Sequence, residues 1–174
     1  EIGPVVSAAR QRGIVSIFDN SWATPAFCTP LELGCDLVLH SATKFIGGHS
    51  DVVAGVVVGR DPALKRRVLR EAELAGACLD PFAAWLLLRG LRTLKLRMAQ
   101  HEASGLAVAR ALARHPSVRA VHHPGIGSHP GHRVARQQLS GFAGLFSFEL
   151  TDPSRSAAHR LVDRQHVGAA GDRR

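Results

Sequence analysis

A polar stretch, Ser41-Ala42-Thr43-Lys44-Phe45-Ile46-Gly47-Gly48-His49-Ser50-Asp51, lies between two apolar runs, Leu37 to Leu39 and Val52 to Val58. Short apolar runs bounded by turn residues read as buried strands. The stretch therefore sets a lysine between hydroxyls and paired glycines at the end of such a strand. An ordinary surface lysine needs none of those neighbours. The same feature constrains the fold. Only residues 41–51 join the two strands, and a crossover between parallel neighbours takes about a dozen residues or more. Antiparallel pairing is predicted.

Upstream, Ile14 to Phe18 is another buried strand, stopped by the turn cluster Asp19-Asn20-Ser21. The link 19–35 is long enough for a crossover, so this strand and Asp36 to His40 are predicted to run parallel in a mixed sheet. Helices are predicted over 4–12, closed by Gly13, and over 62–76. Thr29 to Gly34 suits one helical turn with Pro30 at its first position. Residues 82–114 read as one long helix with Leu87, Leu91, Leu94 and Met98 on one face and Gly90 as a bending point. Trp85 and the leucines around it are assigned to the core. Val118 to His122 is a strand, 123–131 a loop, 132–139 a short helix and Gly144 to Leu150 a strand. Residues 151–174 are polar and basic, with a weak helical pattern that frays from Gly168 to Arg174.

The 174 residues suit one domain, or one and a piece of another. No uncharged apolar run of about 18 residues is present, so no membrane span is expected. Glu1-Ile2-Gly3-Pro4 lacks the regions of a signal peptide, and a cytoplasmic location is the default. Cys28, Cys35 and Cys78 are too few and too scattered for a disulfide framework and read as small apolar fillers. The formal charge of +8 would permit nucleic-acid binding. The arginines are spread along the chain, however, and with no tyrosine there are few stacking platforms. A basic nucleic-acid-binding module therefore ranks last. His122, His123, His129 and His132 lie close together, but no carboxylate or cysteine stands among them, and no metal site is expected.

Asp19 and Lys44 both follow the ends of strands read as parallel, the sheet edge where α/β proteins bind ligands. Adjacent strands lie about 4.8 Å apart and next neighbours about twice that. A pyridine ring carrying an aldehyde spans a comparable distance, which points to pyridoxal 5'-phosphate (PLP). Lys44 would hold the aldehyde as a Schiff base, for which its amine must be neutral. Asp19 would keep the ring nitrogen protonated, and a protonated ring stabilises a carbanion at the substrate α-carbon. Ser41 and Thr43 alternate with residues facing the other way, so both hydroxyls are predicted to face one phosphate. Displaced by substrate, the Lys44 amine could move protons. Each feature alone is commonplace, since an aspartate at a strand end is usually a turn residue. Their combination at one edge carries the reading.

The ordered segments Asp19-Asn20-Ser21-Trp22-Ala23-Thr24-Pro25, Pro30-Leu31-Glu32-Leu33-Gly34, Ser41 to Asp51, Arg89-Gly90-Leu91-Arg92-Thr93-Leu94, Ser128-His129-Pro130 and Gly141 to Leu150 resemble the Cys/Met-metabolism (trans-sulfuration) PLP enzymes. That family includes cystathionine β-lyase, γ-lyase and γ-synthase. The resemblance covers roughly residues 1–150. It implies an α/β fold of the fold-type-I PLP-dependent transferase kind, a mixed sheet flanked by helices, with the start of a smaller α+β C-terminal domain. On this reading, 1–115 is the C-terminal part of the large PLP-binding domain, 116–150 begins the small domain, and 151–174 is an atypical basic tail. It implies the roles given to Lys44, Asp19, Ser41 and Thr43, an amino-acid substrate, and a homotetramer built as a dimer of dimers with shared active sites. It also implies a partial chain. The family's N-terminal part, its cofactor-stacking tyrosine and its substrate-gripping arginine have no counterpart here, and His123 stands where a tyrosine is common. The expected function is a PLP-dependent C–S lyase or γ-replacement synthase, or an inactive fragment of one. The alternative is a non-catalytic remnant acting through a partner subunit.

Overall fold

The computed structural model describes residues 1–162. The segment Gly168 to Arg174, expected to fray, lies outside the described residues. The chain opens with α1 (Ile2–Gln11), β1 (Ile17–Asp19), α2 (Thr24–Phe27), β2 (Leu37–Ser41) and β3 (Gly55–Gly59). It continues through α3 (Pro62–Leu74), α4 (Pro81–Leu91) and α5 (Leu94–Leu112) to β4 (Val118–His122), α6 (His132–Gln138) and β5 (Ser147–Leu150).

The sheet has the order β1-β2-β3. β1 and β2 are parallel, with Ile17 opposite Leu37 and Asp19 opposite Leu39. β2 and β3 are antiparallel, with Leu37 opposite Gly59 and Ser41 opposite Gly55. Both directions are those the link lengths require. β4 and β5 form a separate antiparallel pair.

Helix starts follow sequence chemistry closely. Asp61 and Asp80 each precede a proline, and their carboxylates accept the N–H groups that open α3 and α4. Proline costs nothing there because its missing N–H would have had no helical partner. α1 closes at Gly13, whose φ of +66° favours glycine.

The expected helix over 82–114 is instead two helices that part at Arg92 and Thr93. The Thr93 N–H and hydroxyl both bond back to Gly90 O, at 3.2 and 3.1 Å, so the chain turns tightly there before α5 begins. β3 starts at Gly55, later than the predicted Val52, because Ala54 pairs with Thr43 in place of a ladder partner. β5 starts at Ser147, later than the predicted Gly144, because Ala143 and Gly144 pack against α5.

Trp85 is not a core residue among the described residues. It is 55% exposed and stacks on Phe82, which is 67% exposed. α4 is apolar on most of its circumference, so periodicity could not tell which side packs inward. The inward side is Ala83, Leu86, Leu87 and Gly90, against Ala42, Ile46 and Val52. A second cluster joins α1 to β2 through Val6, Cys35 and Val38. A third joins α5 to residue 143 through Leu94, Met98 and Ala143, with Trp22, Phe27 and Phe45 packed on it. Cys28 and Cys35 are buried free thiols, and burial raises the pKa of each.

His123 is fully buried among aromatic rings, with Phe146 at 5.4 Å and Phe142 at 6.3 Å between centroids. Its Nδ1 accepts the Gly125 N–H at 2.9 Å. Burial, aided by nearby His129, pulls its pKa below the ordinary histidine value against a weaker opposing pull from backbone hydrogen bonding and, least, from Glu102. His40, also buried, is shifted the same way by burial. The unfolded chain therefore takes up protons below about pH 6.5 that the folded chain refuses, and stability falls as pH drops through that window. Asp19 and Asp36, with lowered pKa values, weaken the fold only in stronger acid. Thermal unfolding scans between pH 7 and 5 should show a falling midpoint. His123→Gln keeps an acceptor for Gly125 and should flatten that slope; an unchanged slope would exclude His123 as its source.

Candidate active site

The site is built where β1 and β2 end. Asp19 is the last residue of β1 and Ser41 the last of β2. The two stand on one face, because Asp19 pairs with Leu39 and side chains repeat every second residue. After Ser41 the chain leaves the extended conformation and coils through Ala42 to Gly47. The coil is closed by Lys44 N–H to Ser41 O at 3.0 Å, Gly47 N–H to Ala42 O at 2.8 Å and Gly48 N–H to Lys44 O at 2.8 Å. Ala42 and Ile46 are buried beneath it and Phe45 packs on the third cluster, while Lys44 is left exposed. Apolar anchors on both sides thus present one amine.

Asp19 and Lys44 line the same cleft, of about 860 Å³, with Ser21, Trp22, Thr43, Arg97 and His101 among its other walls. That volume lies within the range of small-molecule sites, about 300–1,000 Å³. Trp22 is fixed by Nε1–H to Leu145 O at 2.8 Å, and His101 meets Phe45 edge to face at 5.1 Å. The Ser21 hydroxyl and amide hydrogen-bond to the Asp19 carboxylate, the amide at 2.9 Å, and hold its pKa below the usual value. The same Ser21 hydroxyl accepts the Ser41 N–H at 2.6 Å, so the two strand ends are tied together through it. Behind this turn Thr24, 1% exposed, holds φ +56°, an outlying conformation for a β-branched residue. Its N–H reaches Asn20 O at 2.8 Å.

The residues fit PLP at its two reactive ends. An ionised carboxylate and a primary amine face one cleft across neighbouring strand ends, and neither is spent in an ion pair among the described residues. At the end expected to face the phosphate, strand pairing stops at Ser41 and the chain coils through Thr43. The Thr43 hydroxyl accepts the Ala54 N–H at 2.9 Å and donates to Ala54 O at 3.3 Å. Its only proton is thereby directed at β3's approach. Ser41 is half-buried at the strand end and is not part of the cleft lining. The four clustered histidines each have a local partner: His122 with Glu149, His123 with Gly125, His129 with Gly131 and His132 with Pro124 O.

Sequence reasoning did not single out Ser21, Arg97 or His101. Ser21 had a signal, since a serine two residues after an aspartate is a common local donor. Arg97 had none, because the partners that tie it to the lysine coil, Phe45 and Ile46, lie far away in sequence.

The family model for Cys/Met metabolism PLP-dependent enzymes matches residues 1–170. A probable cystathionine gamma-synthase of Herpetosiphon aurantiacus is 44% identical over 163 residues, covering 94% of this chain and 51% of that protein. A cystathionine beta-lyase of Lactococcus lactis subsp. cremoris is 43% identical over 152 residues, covering 87% of this chain and 40% of that protein. The crystal structure of a cystathionine gamma synthase from Xanthomonas oryzae pv. oryzae, in complex with aminoacrylate and cysteine, superposes with a TM-score of 0.89 at 43% identity, over 93% of this chain and 42% of that one. The chain thus spans about half the length, or less, of the relatives it matches. With its mixed sheet, its strand-end lysine and this extent of similarity, the chain belongs to the Cys/Met-metabolism PLP-dependent enzyme family.

Proposed function

We propose that this chain supplies the lysine-bearing part of a PLP-dependent trans-sulfuration enzyme acting on C–S bonds of amino acids. The observation that carries the reading is the Asp19 carboxylate and the Lys44 amine lining one cleft at the strand ends. Lys44 is the residue that would hold the cofactor aldehyde, and its amine would move the proton at the substrate α-carbon. Asp19, its pKa lowered by the Ser21 hydrogen bonds, would hold the ring nitrogen's proton. When bound, PLP supplies an electron sink for negative charge at the α-carbon. Ser41 and Thr43 are assigned to the phosphate; Thr43 serves once its O–H swings from the longer of its two Ala54 bonds. Trp22 and Leu145 wall the cleft.

The relatives' names support a substrate of the cystathionine or activated-homoserine kind, with elimination and replacement sharing these first steps. The exposed Phe82, Trp85 and Leu88 on α4 support a homo-oligomer; a tetramer, as a dimer of dimers, is our reading of it. The two separate sheets support a division into 1–115, within the large PLP-binding domain, and 116–150, opening the small one. The buried free thiols support a reducing compartment, read as the cytoplasm. No helix among the described residues is long and apolar enough to cross a membrane.

The three lysines, Lys44, Lys65 and Lys95, make a direct test possible. The chain is incubated with PLP, reduced with borohydride, digested and mapped. One pyridoxyl group on the Lys44 peptide is the expected result. Label divided among Lys65 and Lys95, or none, would favour a remnant that acts only through a partner subunit.

A further inference from the structure

Arg97 stands near the start of α5, and most of its donors leave that helix. Nη1 donates to Phe45 O at 2.6 Å, and Nη2 to Gly90 O at 2.7 Å and Ile46 O at 3.3 Å. Nε donates to Thr93 Oγ1 at 3.0 Å. Phe45 and Ile46 are the two residues that follow Lys44, and Gly90 and Thr93 flank the break between α4 and α5. The guanidinium thus bridges the lysine coil to the helix break across a sequence separation of about fifty residues. Gly48 makes room for it: φ there is +77°, and a Cβ would stand 2.5 Å from Arg97 Nη1. Burial lowers the arginine's pKa, yet a guanidinium stays charged, and bonds from a charged donor are stronger than neutral ones.

We propose that Arg97 is a positioning residue for Lys44, fixing the 42–48 coil through the carbonyls that follow the lysine. This rests on the assignment of Lys44 as the PLP lysine. Arg97 also lines the cleft, but four hydrogen bonds occupy its fork of five N–H groups, so it is poorly placed to grip a phosphate or a substrate carboxylate. It gives a physical reason for the Arg89 to Leu94 motif, in which Gly90 offers a carbonyl at close range and Thr93 a hydroxyl.

The test uses the full 174-residue chain and two readouts, amide hydrogen exchange without cofactor and borohydride trapping with PLP. In Arg97→Ala the Gly47 and Gly48 amides should exchange at least about tenfold faster, with α1 amides unchanged, as expected for local opening. Trapping at Lys44 should fall in parallel and recover with added ethylguanidinium but not ethylammonium. Arg97→Lys should lie between. Unchanged exchange at Gly47 and Gly48 in Arg97→Ala, or equal rescue by the two cations, overturns the proposal. If Arg97→Ala unfolds throughout, Arg97→Lys decides: acceleration confined to the coil upholds the role, and parent-like exchange overturns it. Absence of Lys44 label in the unsubstituted chain sinks the PLP assignment and the positioning role with it. Label in the parent with unaltered exchange in the variants sinks the positioning role alone.

Discussion

Lys44→Ala is expected to abolish the pyridoxyl label on the 42–48 coil while leaving the thermal midpoint essentially where it was. The two halves of that expectation have separate causes. Lys44 is exposed, and its side chain enters none of the hydrogen bonds or ion pairs among the described residues. Truncating such a residue costs within about 0.5 kcal/mol either way. The coil is held by its own backbone bonds and by Ala42, Phe45 and Ile46, which the substitution leaves in place. The chemistry, in contrast, has no substitute amine in the cleft: Lys65 and Lys95 are not among its lining residues. In an active assembly, loss of a proton-transfer group alone costs about 10²–10⁴-fold, and loss of the covalent anchor adds to it. A variant that both unfolded and lost its label would say nothing about Lys44, so the scan and the peptide map must be made on the same sample. Retained label in Lys44→Ala would refute the assignment.

Much of this arrangement was legible because the informative signals were local. Link lengths gave the strand directions, since chain reach limits what 41–51 and 19–35 can connect. Asp-Pro pairs stand at the starts of α3 and α4, a local signal in which side chain and missing donor act within one turn. The gathering of Asp19 and Lys44 followed from two strand ends sharing an edge. What escaped was set by distant contacts. Alternation was carried past Ser41 to Thr43, yet the chain coils there because Ala42 and Ile46 are drawn down onto Leu87. Trp85 looked like core because it is large and apolar, but only a tertiary partner decides which side of an all-apolar helix is covered. The split between α4 and α5 falls two residues beyond Gly90, the expected bending point, but the close approach of Gly90 to the lysine coil is a distant contact that no pattern within 82–114 encodes.

That approach makes Gly90→Ala a strongly disruptive small substitution. A methyl group at this position would lie 2.5 Å from Ile46 O and closer still to Gly47 O. Neither neighbour can swing aside, because both are backbone atoms of the coil that carries Lys44. Two effects oppose each other. Alanine gains about 0.8–1.0 kcal/mol over glycine from helix propensity alone. Overpacking typically costs about 1–3 kcal/mol and more when backbone must move. The clash should win, because relieving it means pushing α4 off the coil, opening Leu87 from Ala42 and Ile46 and stretching the Arg97 bonds to Phe45 O and Gly90 O. Each kcal/mol is worth about 2–4 °C in a chain of this size, so a fall of several degrees is expected, with weaker trapping at Lys44. Gly127→Ala is the control: a Cβ there meets nothing within 4 Å, and its midpoint should stay near the parent's. A Gly90→Ala chain at least as stable as the parent, with full Lys44 label, would mean that α4 does not rest on the lysine coil.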